Sequence, residues 1–519
     1  MMRKWFAGNG ILALMAALLA MAAPPALAQD QQQGQQTSKT PYTLPEYNAY
    51  QAAAGQTDPQ AKIQGLDDFV SKFPNSVLLP LAYKLYYGAY EQTKNYSKEI
   101  EYIDKFLALP ESKDLAIPGT TKESLVIDQV QAFYHRAFAF NQSFNEKDPN
   151  AQDELTKARQ AALDGLKALD QIPKPANQTD DQFAQQKKPV ILLLNYTAAI
   201  AAFDMKDYKS AIDSFNADIA AGGNSTDQTT AATYYRLGVS YLQLAAQQAP
   251  QQPQTPATPP NGTPPATSTT TPAAATPPDN GALTDLYMNG FWDLARAVAL
   301  NGAGKEQIQS YLRAEMFNYE QPACGSLLDA QMNELIQLAG TQPTRPTTYS
   351  LPSASDLGKI LQASNLLSIL SDLQTGGDKG KMTWLAVCGQ EIPNVVGKIV
   401  DETPGTDSID FKVFTAATGE EIQAGTTANL DVTVQTAPST AATPAAQASS
   451  TAAGAQAQTD TTVQPEAARL QKGDDIKFTG TLVSYDAQPF LVHFDKCKVD
   501  PSVIPAEKGA KKPRRPAGR

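Results

Sequence analysis

Apolar side chains recur at helical intervals through most of the chain and at intervals of two near its C-terminal end. The clearest helical stripe is Tyr208, Ala211, Ile212, Phe215 and Ile219, the spacing of one buried face. Just before it, residues 190–203 (VILLLNYTAAIAAF) predict another apolar helix, ended by the turn Asp204-Met205-Lys206-Asp207. Helices joined this tightly pack antiparallel, and Ala198, Ala199, Ala202 and Ala211 permit close approach. A single hairpin of this size cannot bury its own apolar face, so others are expected to stack on it.

The same pattern occurs on both sides. Helical material begins at Pro45, and residues 59–73 place Ile63, Leu66, Phe69, Val70 and Phe73 on one face. Asp58-Pro59 is a good helix start, and Pro74-Asn75-Ser76 is expected to stop one helix and cap the next. Residues 81–90 and 96–107 form a second hairpin, and 124–144 with 151–169 a third. A further first helix opens at Thr233, but its partner resumes only at Leu283. Between them lies a Pro/Thr/Ala tract, 250–280, which cannot build a core. It reads as a disordered insertion inside one hairpin, with a linker between two domains as the alternative. Helices at 305–319, 326–338 and 354–373 are expected to cap or extend the array, which then holds five or six hairpins. Gly376-Gly377 ends it, with 376–383 as a linker.

From residue 384 the period is two. Short strands are predicted at 395–400, 409–414, 429–434, 475–485 and 490–494, with a second low-complexity tract at 436–465. Such strands suit a small barrel or sandwich over 384–500.

Two resemblances sharpen this architecture. The D-Y-x-x-A-I-x-x-F run from Asp207 to Phe215, with the small residues of the preceding helix, resembles a tetratricopeptide (TPR) helix pair. The L-G-x-x-Y run from Leu237 to Tyr241 is similar to a first TPR helix, and the F-x-x-x-F-P-N-S junction from Phe69 to Ser76 to TPR proteins of the bacterial cell envelope. Tyr90 and Tyr96 match the aromatic positions of that template, whereas Glu99 stands where a small residue is usual. Downstream, Leu470-x-Lys472-Gly473-Asp474-x-Ile476-x-Phe478-x-Gly480-x-Leu482, followed by Phe490-Leu491-Val492-His493-Phe494-x-x-Cys497, resembles an OB-fold family of exported bacterial proteins. That family is named for its likeness to tRNA-anticodon-binding domains. Together the resemblances imply a multidomain chain, an all-α TPR-like helical solenoid over 44–249 and 281–375 followed by a small all-β OB-like barrel, with two disordered insertions.

Composition adds a compartment. Arg3 and Lys4, the apolar run 11–22 and Ala26-Leu27-Ala28 read as a secretory signal peptide over 1–28, followed by a Gln-rich disordered lead over 29–43. The apolar run is shorter than the ~20 residues of a membrane span, and no later segment is long and apolar enough to cross a bilayer. The mature chain is expected to be periplasmic or secreted. Net charge is −11, although the tail ends in Lys508, Lys511, Lys512, Arg514, Arg515 and Arg519 with no acid between them. An acidic body repels nucleic acid, and the basic tail (within 501–519) suits at most weak contact with anionic surfaces. Three cysteines allow one disulfide. Cys388 and Cys497 share the C-terminal domain and are expected to pair, leaving Cys324 free.

Catalytic chemistry is hard to find. His135 and His493 are the two histidines, one expected in a helix and one in a strand of a different domain; each reads as a core or surface residue. The cysteines are too scattered for a metal site, and no metal or cofactor is expected. Residues 375–383 (TGGDKGKMT) look faintly like a phosphate loop but lack its first glycine, and Met382 stands where a Ser or Thr would hold magnesium. Asp401, Asp407 and Asp410 read as polar-turn residues. No enzyme activity is expected. What remains is binding surface: the TPR resemblance implies that first helices line a groove, and alignment on its positions points to Lys84, Gln92, Tyr196, Tyr235 and Gln243. Packing between repeats is the competing role for Tyr196 and Tyr235. The expected function is an exported scaffold for protein or peptide partners of the cell envelope. The alternative is an OB-like domain that binds a glycan or another polymer, with the helices as a secondary interaction module.

Overall fold

A computed structural model describes residues 41–222, 228–249, 280–302, 304–322, 324–416, 426–437 and 463–506. The signal peptide, nearly all of the Gln-rich lead, and most of the 250–280 tract, the 436–465 tract and the basic tail lie outside the described residues. The chain divides into two compact units, 1–310 with 335–346 and 311–334 with 347–519.

In the first unit, helices pair in sequence order as hairpins. These are α1 (Leu44–Ala54) with α2 (Pro59–Lys72), and α3 (Leu79–Gln92) with α4 (Tyr96–Leu107). After the short α5 (Glu111–Leu115) come α6 (Lys122–Ser143) with α7 (Ala151–Leu169), α8 (Asp180–Asp204) with α9 (Tyr208–Gly222), and α10 (Gln228–Gln248) with α11 (Asn280–Ala299). Side chains start several of them. Asp58 accepts a hydrogen bond from the Ala61 N–H at 2.7 Å, and Thr43, Thr121 and Thr179 each form a reciprocal cap with the residue three positions on. One expected cap differs. Ser76 Oγ accepts from the Leu78 N–H, but α3 begins only at Leu79, because the chain makes a further turn after Pro74.

Two hairpin turns share one geometry. Lys94 and Lys206 both take the left-handed backbone conformation (φ 57° and 62°), and the next amide N–H reaches back five residues, Asn95 to Tyr90 and Asp207 to Ala202, each at 2.9 Å. Asn95 and Asp207 then cap the second helix, accepting from the N–H groups of Lys98 and Ser210. The same turn in two hairpins of unlike sequence is the mark of a structural repeat.

The interiors run from each hairpin into the next. Tyr50 and Leu66 of the first share a cluster with Leu79 and Tyr86 of the second. Tyr87 and Ile103 meet Ala132 of the third. Val130 and Ala162 meet Val190 and Leu194 of the fourth, and Ile200 and Phe215 meet Leu237 of the fifth. Each hairpin thus buries its apolar face on its sequence neighbour, the stacking expected of repeats too small to stand alone.

The helices on either side of the 250–280 tract pack face to face, as an insertion within one hairpin requires. Gly238 and Gly290 make this contact possible. A Cβ at Gly238 would stand 2.9 Å from the Gly290 carbonyl oxygen and 2.9 Å from the Leu294 nitrogen, both backbone atoms that cannot swing aside. Gly238→Ala is therefore expected to destabilise the first unit by about 1–3 kcal/mol, since overpacking outweighs alanine's better helix propensity. Urea unfolding followed by circular dichroism measures this; a gain in stability would mean the helices are not in such close contact.

In the second unit, β1 (Glu391–Pro404), β2 (Ser408–Phe414), β3 (Leu430–Gln435), β4 (Asp475–Ala487) and β5 (Phe490–Val499) form a closed barrel in the order β1-β2-β3-β5-β4. Only β3 and β5 run parallel. Alternation sends Ile409, Phe411 and Val413, then Leu430, Val432 and Val434, then Ile476, Phe478 and Leu482 inward. The Gly480 and Cys497 of the sequence motif face each other: a Cβ at Gly480 would lie 2.6 Å from the Cys497 sulfur. Glycine on β4 makes room for the thiol on β5.

The core does not stop at the barrel wall. After α12 (Lys305–Glu320) and α13 (Gly325–Thr341) come α14 (Ala354–Ala363), α15 (Leu366–Thr375) and α16 (Gly377–Val387). Leu357, Ile369, Leu370, Leu373 and residues 384–388 belong to the same hydrophobic cluster as the strands, and Cys324 and Leu327 pack against it. The expected linker at 376–383 is instead the start of a helix, with Gly376 at φ 70° as its N-cap. The change of period therefore does not mark the boundary between compact units, because helices before it bury their faces on the barrel's core.

The expected Cys388–Cys497 pair is corrected for the same reason. Cys388, at the end of α16, is bonded to Cys324, just ahead of α13. Cys497 is left as a buried free thiol of the barrel core.

Glu320, the last residue of α12, is fully buried, and burial pushes its carboxyl up to about 7. An unfolded glutamate ionises near 4.5, so the buried neutral form contributes stability below that pH and loses it as pH rises through about 7. Glu320→Gln should be more stable than the wild type above pH 7 and show a flatter profile between pH 5 and 8. Thermal unfolding of both proteins across that range reads the difference; parallel profiles would show Glu320 already ionised in the fold.

Candidate functional site

First helices of successive hairpins are joined by a series of polar contacts. Lys84 Nζ of α3 lies 2.6 Å from Asp128 Oδ2 of α6. The Asn141 side-chain amide of α6 donates to Thr197 Oγ1 of α8 at 2.8 Å, and Arg236 of α10 donates to the Tyr196 hydroxyl of α8 at 3.3 Å. Each side chain reaches the next hairpin because first helices stack on first helices, and each contact fixes the register of the stack.

The five candidate groove residues take different roles here. Tyr196 is buried in the cluster of Ala199, Ile212 and Phe215, so its ring packs the repeat, and its hydroxyl accepts a hydrogen bond from Arg236. Lys84 is committed to Asp128. Gln92 is exposed, while Tyr235 and Gln243 are half-buried. Of the five, Gln92, Tyr235 and Gln243 retain surface for a partner.

A cleft of about 540 Å³ lies elsewhere, between α4, the C-terminal end of α6 and the start of α7. Ile100, Phe140 and Phe144 give it an apolar wall, with Phe140 and Phe144 rings 4.9 Å apart. Glu101, Asp104, Asp148 and Glu154 line it together with Lys105 and Lys157, and Glu101 pairs with Lys98 and Lys105 at 2.7 and 2.6 Å, so the rim is charged in both signs. Arg136, itself buried, holds Asp104 through two hydrogen bonds of 2.7 and 3.3 Å and lies 3.8 Å from Glu154, which keeps two of these carboxylates in place. The volume falls within the several hundred cubic ångströms common for ligand sites. Sequence reasoning missed it because α4, α6 and the α6–α7 connection meet only after folding.

On the barrel, His493 is clamped. Its Nδ1 lies 3.0 Å from Asp431 Oδ2 and its Nε2 3.0 Å from Asp486 Oδ2, while Lys412 reaches the same Asp431 oxygen at 2.8 Å. The arrangement ties β2, β3, β4 and β5 together. Lys398 and Lys477 are likewise matched with Asp475 and Asp500.

His135 is not isolated. The fold brings it to Glu91 and Glu99, two residues that sequence reasoning did not connect with it. The available signal was Glu99 itself, a carboxylate at a position where the repeat template expects a small side chain. Among the described residues no helix is long and apolar enough to cross a membrane. No protein-family model matches the chain, and no curated protein matches it either.

Proposed function

We propose that the chain is an exported TPR-type scaffold of the cell envelope that holds protein or peptide partners against its helical array, with the OB-like barrel as a second contact module. The observation that carries this reading is the cleft beside α4, α6 and α7, an apolar aromatic wall with a charged rim on the stack of hairpins. Aromatic floor and charged rim suit a peptide segment carrying an apolar anchor flanked by charged residues. Gln92 and Tyr235 on the first helices offer further surface for the same partner. Export rests on the signal-like N-terminus and the bacterial envelope on the two family resemblances.

Photo-crosslinking in the producing cells tests this. A photoreactive side chain is placed singly at Ser143 in the cleft, at Gln92, at Tyr235, and at the exposed Lys209 of α9 as a control. Discrete protein adducts at Ser143 with none at Lys209 support a partner in the cleft. Adducts absent from all positions, or equal at Lys209, would remove the reading.

A further inference from the structure

The turn between α3 and α4 folds Glu91 back towards Glu99, and α6 of the next hairpin lays His135 against both. The His135 Nδ1 lies 3.2 Å from Glu91 Oε2 and 3.8 Å from Glu99 Oε1, and ligand atoms of all three residues lie within 4.8 Å of one another. Glu99 is fully buried, and neither of its carboxylate oxygens has a hydrogen-bond partner. The His135 Nδ1 is buried too and makes no hydrogen bond, although Glu91 is close. Glu91 and His135 remain about a quarter exposed, 28% and 24%, so one side of the cluster is open to solvent. Tyr87 and Tyr134 rings flank the imidazole at 5.4 and 5.9 Å and hold it in place.

A buried carboxylate with no partner is costly, and folded proteins rarely leave one unless something compensates for it. We infer that Glu91, Glu99 and His135 form a binding site for a first-row divalent metal ion such as zinc, which joins the second hairpin to the third. Imidazole nitrogen and carboxylate oxygen are both ligands that zinc accepts, and three of them would leave a fourth tetrahedral position open. Two carboxylates balance the charge of a divalent ion in a buried setting. Calcium, which takes six or more oxygens, and magnesium, which keeps its waters, fit this set poorly. Ligand atoms around tetrahedral zinc stand about 3.3 Å apart, given bonds near 2.0–2.1 Å. The His135–Glu91 separation already meets that, Glu99 stands 3.8 Å from His135, and binding would draw together ligand atoms that lie within 4.8 Å of one another.

The full, untagged chain is treated with chelator and titrated with cobalt(II), read by its visible absorption, and then with zinc in competition against a chromophoric chelator. The expected result is one equivalent bound, with the intense bands of tetrahedral cobalt and displacement by zinc but not by calcium. His135→Gln and Glu91→Gln should each weaken zinc binding at least about 100-fold, more than the loss of an outer-sphere contact does. Glu99→Gln should do the same, and circular dichroism establishes that each variant folds; should Glu99→Gln unfold, the other two decide. His493→Gln, altering the clamped barrel histidine, should bind as the wild type does. Absence of stoichiometric binding would overturn the inference. So would binding that survives His135→Gln or vanishes with His493→Gln.

Discussion

Breaking the Cys324–Cys388 bond should destabilise the second unit by about 4 kcal/mol, the chain-entropy expectation for a loop of this length. The two cysteines are 64 residues apart, and Cys388 is 3% exposed within the core cluster that also receives Cys324. Cys324→Ser and Cys388→Ser should shift the urea midpoint of that unit by similar amounts, and a reducing agent should lower the wild type to the level of the variants. Thiol titration provides an independent check. Cys497 is buried, and burial raises its thiol far above the ordinary range, so the native protein should resist alkylation. Denatured without reductant, it should release one reactive thiol per chain, and peptide mapping should place that thiol at Cys497. A mapped Cys388–Cys497 peptide would restore the pairing expected from sequence and would overturn the arrangement of α13 and α16 described above.

The second large effect is expected at Phe215. Its ring is fully buried between α8, α9 and α10, 6.5 Å edge-on from Phe203, in a cluster that ends on Leu237 of the next hairpin. Phe215→Ala should cost about 3–5 kcal/mol, the transfer term plus the cavity left behind. In an array where each hairpin contacts its neighbours, the damage should spread along the stack. Amide hydrogen exchange should therefore quicken in α8 and α10 as well as in α9. Acceleration confined to α9 would show that the hairpins do not share a continuous interior.

Much of the architecture is legible in the sequence for a local reason. The face a residue presents depends on backbone period, and period is read within a dozen residues. The Tyr208–Phe215 stripe, the five hairpins and all five strands follow from that, as does the placing of the 250–280 tract between two helices that pack together. The candidate groove was less legible. Alignment on a repeat template assigns a position to the first helix but does not set its depth. Tyr196 went into the core because small residues at 198, 199 and 202 draw α9 close, whereas Gln92 stayed outside at the end of α3.

Sequence alone determined most of the segments that are helical or extended and how they alternate, Gly377–Val387 excepted, since each choice depends on which neighbouring side chains share a face. Tertiary structure alone decided which distant groups meet: Cys324 with Cys388, Gly480 with Cys497, and His135 with Glu91 and Glu99. Those meetings depend on how far α6 slides along α3 and on which helices cover the barrel. Such quantities are set by side-chain volume summed over whole interfaces, and no short stretch of the chain records them.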